Sequence, residues 1–407
     1  MVNVIGLGYI GLPTALMLAS HGIEVVGTDY NQSLVDDLSK GKITFKEKGL
    51  AQLFDCAMQD GIKFSTDYQT VDTYIISVPT PYDEWSKKVD ASYVIAAVKD
   101  VVAVCQHDAV VIIESTVSPG TMDTSIRPLI EDAKNTKGKN IQLVHAPERI
   151  IPGNMLYELM HNNRTIGSDD PRVAQRVKEL YASFCQGEIV LTDIRTAEMT
   201  KVVENTFRAV NIAFANELSR ICRHDYMDVY EIIRICNMHP RVNILNPGPR
   251  VGGHCISVDP WFLVGDYPQL TKMIGESLKV NSSQPYFVLQ RIADVMQTND
   301  IVDSRRVGLY GLTYKENVDD YRDSPTMQLL SFQKQTLATP LKCYDPYLED
   351  KKLVATQYDN FDAFLDDIDM IVIMVKHNHI KQYWERLIDK VILDCHHICP
   401  LPNVYSL

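Results

Sequence analysis

Val2-Asn3-Val4-Ile5-Gly6-Leu7-Gly8-Tyr9-Ile10-Gly11 stands one residue from the start of the chain. A short apolar strand runs straight into a Gly-x-Gly-x-x-Gly turn. Thr14 to Ser20 then read as helix, Gly22 ends it, and Glu24 to Thr28 read as a second strand closing on Asp29. Strand, glycine turn, helix, strand and acid, in that order, make a dinucleotide-binding βαβ unit. Gly6 makes the turn, Gly8 admits a pyrophosphate, and Gly11 lets helix pack on sheet; Tyr9 and Ile10 belong to the same turn. The phosphates lie at a helix N-terminus, where free N–H groups and the dipole favour anions. Asp29 is placed for ribose hydroxyls, and its charge repels a 2′-phosphate, which favours NAD over NADP. The plainer alternative, a glycine turn that binds nothing, leaves the acid and the strand order unexplained.

Outward from this unit, Tyr74 to Val78, Ala109 to Glu114 and Gln142 to His145 read as further strands of an open parallel sheet. Ligands bind beyond the carboxyl ends of such strands. Thr80 and Thr116 fall there and are candidates to line the nicotinamide half of the site, with turn chemistry as the equal alternative. Glu148 and Arg149 also fall at a strand end, where a surface ion pair is the bland reading.

A length of 407 residues sets a prior of two or three domains, and the 45% hydrophobic and 23% charged fractions are those of a globular protein. The net charge of −12 is spread without blocks, which argues against nucleic acid or an anionic membrane as partner. No apolar run reaches the roughly 18 residues needed to span a bilayer. With Val2 to Ile5 already read as strand, no signal peptide is expected. Nine scattered cysteines fit free thiols in a reducing cytoplasm.

From Ala197 to about His224 there is no Gly or Pro, and the pattern is helical. Lys201, Asn205 and Arg208 are four and three apart and share a face. Val202, Val203, Phe207, Val210 and Phe214 supply apolar contact around it. Solvent is the ordinary destination of such a polar stripe, but these residue types also suit a diphosphate, a sugar hydroxyl and a carboxylate. A second helix is expected from about Leu270 to Gln297, interrupted or kinked at Pro285. Between the two lies Gly252-Gly253-His254-Cys255-Ile256-Ser257-Val258-Asp259-Pro260. The glycines let backbone approach a ligand. Cys255 stands where a Pro- and Gly-rich loop meets a regular element, reachable by a substrate; a core cysteine is the alternative. Arg241 and Arg250 add a local cationic cluster in an acidic chain, which suits an anionic substrate.

The βα alternation restarts near Arg306, with strands expected at Arg306 to Leu309, Leu341 to Tyr344, Met370 to Val375 and Val391 to Leu393. Lys315 and Arg322 sit at a strand end and a helix start, positions suited to phosphate. Cys395-His396-His397-Ile398-Cys399 has the residue types of a metal site but lacks a second separated ligand pair, so no metal is expected. The fold class is thus α/β: two Rossmann-like doubly wound domains joined by a central helical segment. The expected boundaries are 1–192, 193–300 and 301–407.

These motifs resemble the nucleotide-sugar 6-dehydrogenase family, the enzymes related to UDP-glucose dehydrogenase. The resemblance is carried by GLGYIGLP (6–13), VPTP (78–81), ESTVSPGT (114–121), APERIIPG (146–153), Ala197-Glu198 with Lys201 and Glu204-Asn205, GGHC (252–255) with VDP (258–260), and GLTYKENVDDYRDSP (311–325). APERIIPG, NPGPRVGGHC and DPWFLVGDYPQ are most similar to the branch acting on UDP-N-acetylmannosamine. Ser257 and His396 depart from the pattern, the latter where Arg or Lys is usual.

The resemblance implies a four-electron oxidation of a sugar C6 alcohol to the carboxylate with two NAD, through a thiohemiacetal and a thioester on Cys255. It implies that Lys201 and Asn205 hold the reacting oxygen, with Thr116 in the catalytic set, and that Glu148 or Asp259 activates water. As substrate contacts it carries over Arg149, Ile150, Lys201, Asn205, Arg208, His239, Arg241, Gly252, Tyr314 and Lys315. Toward the cofactor it adds Arg322 to Gly6, Gly8, Tyr9, Ile10, Gly11, Asp29, Thr80 and Thr116. It also implies a homodimer formed through the long central helix. The rivals are another nucleotide sugar (UDP-glucose, UDP-N-acetylglucosamine, GDP-mannose), a one-step hydroxyacid-type dehydrogenase, which has no use for Cys255, and a non-catalytic dinucleotide sensor.

Overall fold

The computed structural model describes residues 1–407 except Lys46, Glu84, His254, Ala338 and Asn403, so His254 of the cysteine motif lies outside the described residues. The chain divides into two compact units, Met1–Glu204 and Asn205–Leu407. The divide falls within one 31-residue helix, Ile194–His224.

The first unit is built on eight strands: β1 (Val2–Ile5), β2 (Val25–Thr28), β3 (Lys63–Ser65), β4 (Thr73–Ile76), β5 (Val110–Ile113), β6 (Gln142–His145), β7 (Arg164–Ser168) and β8 (Ile189–Thr192). Their order is β3-β2-β1-β4-β5-β6-β7-β8. The reversal between β1 and β4 opens the crevice of a doubly wound sheet. β1, β2, β4 and β5 are buried along their whole length, because apolar clusters pack on both faces of the sheet. Asn3 is tolerated in β1 because its amide donates to Val26 O and Thr28 Oγ1 and accepts from Gln69 N. The sheet is not parallel throughout: β7 pairs antiparallel with β6, Val144 opposite Ser168 and His145 opposite Gly167. That reversal brings the start of β7 to the carboxyl-end side of the sheet.

The second unit holds the rest of the long helix, the helices Val229–Cys236, Asp259–Asp266 and Lys272–Thr298, and a six-stranded sheet. Its strands are β9 (Val307–Tyr310), β10 (Lys342–Tyr344), β11 (Gln357–Tyr358), β12 (Met370–Ile373), β13 (Val391–Asp394) and β14 (Tyr405–Ser406). The order is β11-β10-β9-β12-β13-β14, and every pairing is parallel. Lys272–Thr298 runs through Pro285 as one helix. Polar clasps hold it to the long helix: Asn216 donates to Asn281 Oδ1, Asn281 donates to Ala209 O, and Arg220 donates to Gln284 Oε1. Packing of Val288, Leu289 and Ile292 in the core supports the turn after the proline.

Candidate active site

The glycine turn divides its labour sterically. Gly6 has φ +88°, and a Cβ there meets Ser77 O at 2.3 Å. A Cβ at Gly11 meets Gly6 O at 1.9 Å, whereas at Gly8 nothing lies within 4 Å. The first and third glycines are required by the fold, and the second faces open space, where a pyrophosphate can approach backbone N–H groups. Asp29 Oδ2 accepts from Leu7 N and Oδ1 from Asn31 N, at 2.9 Å each. Each oxygen keeps a lone pair for a ribose hydroxyl. These residues fit NAD. Tyr9 packs against Phe45 with the rings tilted, 4.4 Å between centroids.

The loops beyond β4 and β5 are tied together by Ser115, whose hydroxyl donates to Val78 O and accepts from Val78 N. Thr80 and Thr116, half-buried, flank that clasp. Glu198, on the long helix, accepts from Gly120 N at 2.7 Å and Met122 N at 2.8 Å, which anchors the far end of the Thr116 loop. Burial pushes the Glu198 carboxyl up, against those two backbone donors. Lys201, one turn further on, is buried too.

Glu148 is buried after β6 and forms an ion pair with Arg164, the first residue of β7. Arg164 also lies 3.5 Å from Glu114. Arg149 donates to Asn163 O and Thr165 Oγ1 and pairs with Glu204 at 2.8 Å. Its guanidinium is committed to the protein, although the sequence places it among substrate contacts. Ile150 is buried in the core.

In the second unit, Cys255 is half-buried and precedes the helix Asp259–Asp266, its carbonyl accepting from Val258 N and Asp259 N. Asp259 is 3% exposed and accepts from Asn205 Nδ2 at 2.6 Å, so two residues 54 positions apart form one buried polar pair. Gly252 and Gly253 owe their small size to Tyr314. A Cβ at Gly253 meets Tyr314 Cε2 at 2.6 Å, and one at Gly252 meets Asp323 O at 2.6 Å and Tyr314 Cβ at 2.9 Å. The close approach expected of a ligand is made by a side chain of the chain itself. Arg250 is likewise committed, to Asp323 at 2.8 Å, and Arg322 bonds Asp320. Lys315 is half-buried, whereas Arg208, His239 and Arg241 are exposed. Arg208 shares the helix face of Lys201 and Asn205 but lies on a part of it that is not covered. Val203, Phe207 and Phe214, expected to pack inward, are exposed as well.

Among the described residues no group of three or more His, Cys, Asp or Glu is arranged to hold a metal. In the 395–399 run, burial pushes the Cys395 thiol up, His396 Nε2 sits 2.9 Å from Met374 O, and His397 stacks on Tyr230. The sequence motifs include Glu114, Ser115 and Glu198 without giving them a role, and Arg164 falls outside every motif. A charge closing the apolar strand Val110–Ile113 was the signal available for Glu114.

Three family descriptions cover the chain: the NAD binding domain of the UDP-glucose/GDP-mannose dehydrogenase family matches residues 1–185, its central domain 195–283, and its UDP binding domain 308–401. The chain is 40% identical to the UDP-N-acetyl-D-mannosamine dehydrogenase of Methanocaldococcus jannaschii, over 98% of this chain and 92% of that protein. It is 37% identical to the NDP-N-acetyl-D-galactosaminuronic acid dehydrogenase of Ralstonia nicotianae, over 97% and 95%. Among solved structures, the UDP-N-acetyl-mannosamine dehydrogenase of Staphylococcus aureus superposes with a TM-score of 0.88 at 37% identity, covering 100% of this chain and 97% of that one. Among the described residues no helix is long and apolar enough to cross a membrane.

Proposed function

The chain belongs to the UDP-glucose/GDP-mannose dehydrogenase family and is an NAD-dependent UDP-sugar dehydrogenase; from that premise we propose that it oxidises C6 of UDP-N-acetylmannosamine to the uronate. Two oxidations are needed, and NAD held at the Gly6–Gly11 turn and Asp29 would supply the hydride acceptor for each. In the first, the alcohol proton passes to a base and C6 becomes an aldehyde. The Cys255 thiolate then adds to C6, forming a C–S bond, and the oxygen takes a proton. Loss of a second hydride and the hydroxyl proton leaves a thioester. Water adds to its carbonyl, its proton passes to a carboxylate, and the C–S bond breaks to return the thiolate and release the sugar acid. A covalent sulfur adduct is what gives the aldehyde a second transferable hydride.

We assign Lys201 and Asn205 to the reacting oxygen, where a cation and an amide donor stabilise developing negative charge. The bond from Asn205 to Asp259 orients that amide. Of the two buried carboxylates that the resemblance leaves open, we assign Asp259 to Asn205 and Glu148 to water, Glu148 being held in place by Arg149 N and Arg164. Thr80, Thr116 and the glycine turn serve NAD. Lys315, Tyr314, Arg208, His239, Arg241 and Arg322 are read as contacts to nucleotide or cofactor. Residues 1–192 are the NAD-binding part, 193–300 the helical part and 301–407 the nucleotide-sugar part. Phe207, Phe214 and Ile221 recur every seven residues on the long helix and are each more than half exposed. That apolar seam supports a homodimer formed through this helix. Free thiols throughout support a cytoplasmic enzyme.

The observation that carries the sugar assignment is similarity along the whole chain to proteins named for UDP-N-acetyl-D-mannosamine. The test is NADH formed per sugar across a panel of UDP-N-acetylmannosamine, UDP-N-acetylgalactosamine, UDP-N-acetylglucosamine and UDP-glucose. The expected result is two NADH per sugar, with highest kcat/KM for the first. Preference for the galacto sugar would support the alternative raised by the Ralstonia relative.

A further inference from the structure

Behind Glu148 lies a buried polar cluster that the reaction just described does not use. Arg164 is 4% exposed and Glu114 2%. The antiparallel pairing of β7 with β6, Val144 with Ser168 and His145 with Gly167, brings the start of β7 alongside the segment that leaves β6. There the guanidinium pairs with Glu148 and, at 3.5 Å, with Glu114 Oε1. It lies over the Tyr181 ring at 4.4 Å and the Phe184 ring at 5.3 Å. Glu114 closes β5 and is faced from every side: by Thr14 Oγ1 of the helix after the glycine turn (3.4 Å), by Tyr181 Oη of the helix Pro171–Tyr181 (3.1 Å), by Arg164 of β7, and through Arg164 by Glu148.

Two carboxylates and one guanidinium, all buried, carry one negative charge too many for a poorly solvated site. Such a cluster sheds the excess by holding a proton on one carboxylate. Glu114 is the one. Burial pushes its carboxyl up to about 7; Arg164 pulls the other way, and Glu148 adds to the rise.

Resting on the reading of Glu148 as the group that activates water, we propose that Arg164 is a positioning residue shared by Glu148 and Glu114, and that the proton on Glu114 sets how strongly Glu148 acts as a base. With Glu114 protonated, the Arg164 guanidinium is held by Glu148 alone. With Glu114 ionised, the guanidinium is shared between two anions, which loosens its hold on Glu148 and frees that carboxylate to meet water. Thioester hydrolysis then quickens as pH rises through about 7.

The test is single-turnover breakdown of the Cys255-bound acyl sugar by the full-length enzyme with NAD, followed against pH, together with the carboxyl ¹³C resonances of glutamate-labelled protein. The wild type should show a rate step and a carboxyl titration near neutrality. Glu114→Gln should lose both, hydrolysing about 3- to 10-fold more slowly than the wild type at pH 8, with the KM for the sugar unchanged. Tyr181→Phe removes a donor from the ionised form and should move both transitions to higher pH, which keeps the test open should Glu114→Gln fold poorly. A wild-type pH profile in both variants, or no carboxyl titrating near neutrality, overturns the proposal while leaving Glu148 its role. Glu148→Gln with normal hydrolysis overturns it differently, by removing the reading beneath it.

Discussion

Alanine placed at Gly8 and, in a second variant, at Gly11 separates binding from folding within one turn. At Gly8 the new Cβ meets nothing within 4 Å. The folded chain tolerates it, and the lost backbone freedom of the unfolded chain makes the variant as stable as the parent or better by about 0.4–1 kcal/mol. A pyrophosphate needs the same space. Loss of one hydrogen bond to a charged group costs about 1.5–3 kcal/mol, so NAD affinity should fall roughly 10- to 150-fold. At Gly11 the Cβ meets Gly6 O at 1.9 Å, where contacts under 3.0 Å essentially never occur. The turn must open by about 1 Å against packed backbone, an overpacking cost of about 1–3 kcal/mol. For a unit this large that lowers Tm by about 2–12 °C. The assays are thermal unfolding by circular dichroism without nucleotide and NAD titration by calorimetry. Gly8→Ala binding NAD like the wild type, or unfolding as early as Gly11→Ala, would refute the division of labour.

Cys255→Ala should form no sugar acid, and NADH per sugar, measured at 340 nm, should fall from two to at most one. Asn205→Ala removes a donor from the buried Asp259 carboxylate, and calorimetry should show a loss of about 1.5–3 kcal/mol in stability. His145 is buried in β6, and burial lowers its pKa to about 4 from an ordinary value near 6.5. The unfolded chain therefore binds the extra proton between those values. The stability held by neutral His145 is complete above pH 6.5 and shrinks as pH falls to about 4, by about 3 kcal/mol in all. Urea midpoints over that range should slope less steeply in His145→Phe, and an unchanged slope would count against the assignment.

The glycine turn was legible because its spacing and its flanking strand, helix and acid lie within thirty residues, although of the three glycines only Gly6, against Ser77 O, and Gly11, against Gly6 O, meet a steric demand. The cysteine loop was legible as a place but not as a mechanism of packing. Its glycines read as room for a ligand, and the structure adds a second reason for their size: a Cβ at Gly253 meets the ring of Tyr314, some 60 residues on. Side-chain spacing on the long helix predicted a shared face for Lys201, Asn205 and Arg208. Which part of that face is covered depends on contacts far away in sequence, so Arg208 could not be separated from the other two. Arg164 and Glu114 are 50 positions apart and meet because β7 turns antiparallel, a register that no spacing in the sequence encodes.

The two sheets also repeat one frame with different consequences. Gly311, φ +97°, repeats Gly6, and Asp345 closes β10 as Asp29 closes β2. Asp345 Oδ2 accepts from Leu312 N and Thr313 N, as Asp29 accepts from Leu7 N. There the likeness stops. His377 Nε2 lies 3.3 Å from the same Asp345 oxygen, Tyr347 N donates to the other, and the carboxylate is fully buried. Thr313 stands at the position of Gly8, its hydroxyl bonded to Lys315 O. Both features a dinucleotide uses, an acid with spare lone pairs and a gap beside backbone N–H groups, are thus filled by the second unit's own side chains. Residues 308–401, the segment matching a UDP binding domain, therefore repeat the strand and turn frame of the first unit without its open glycine cradle.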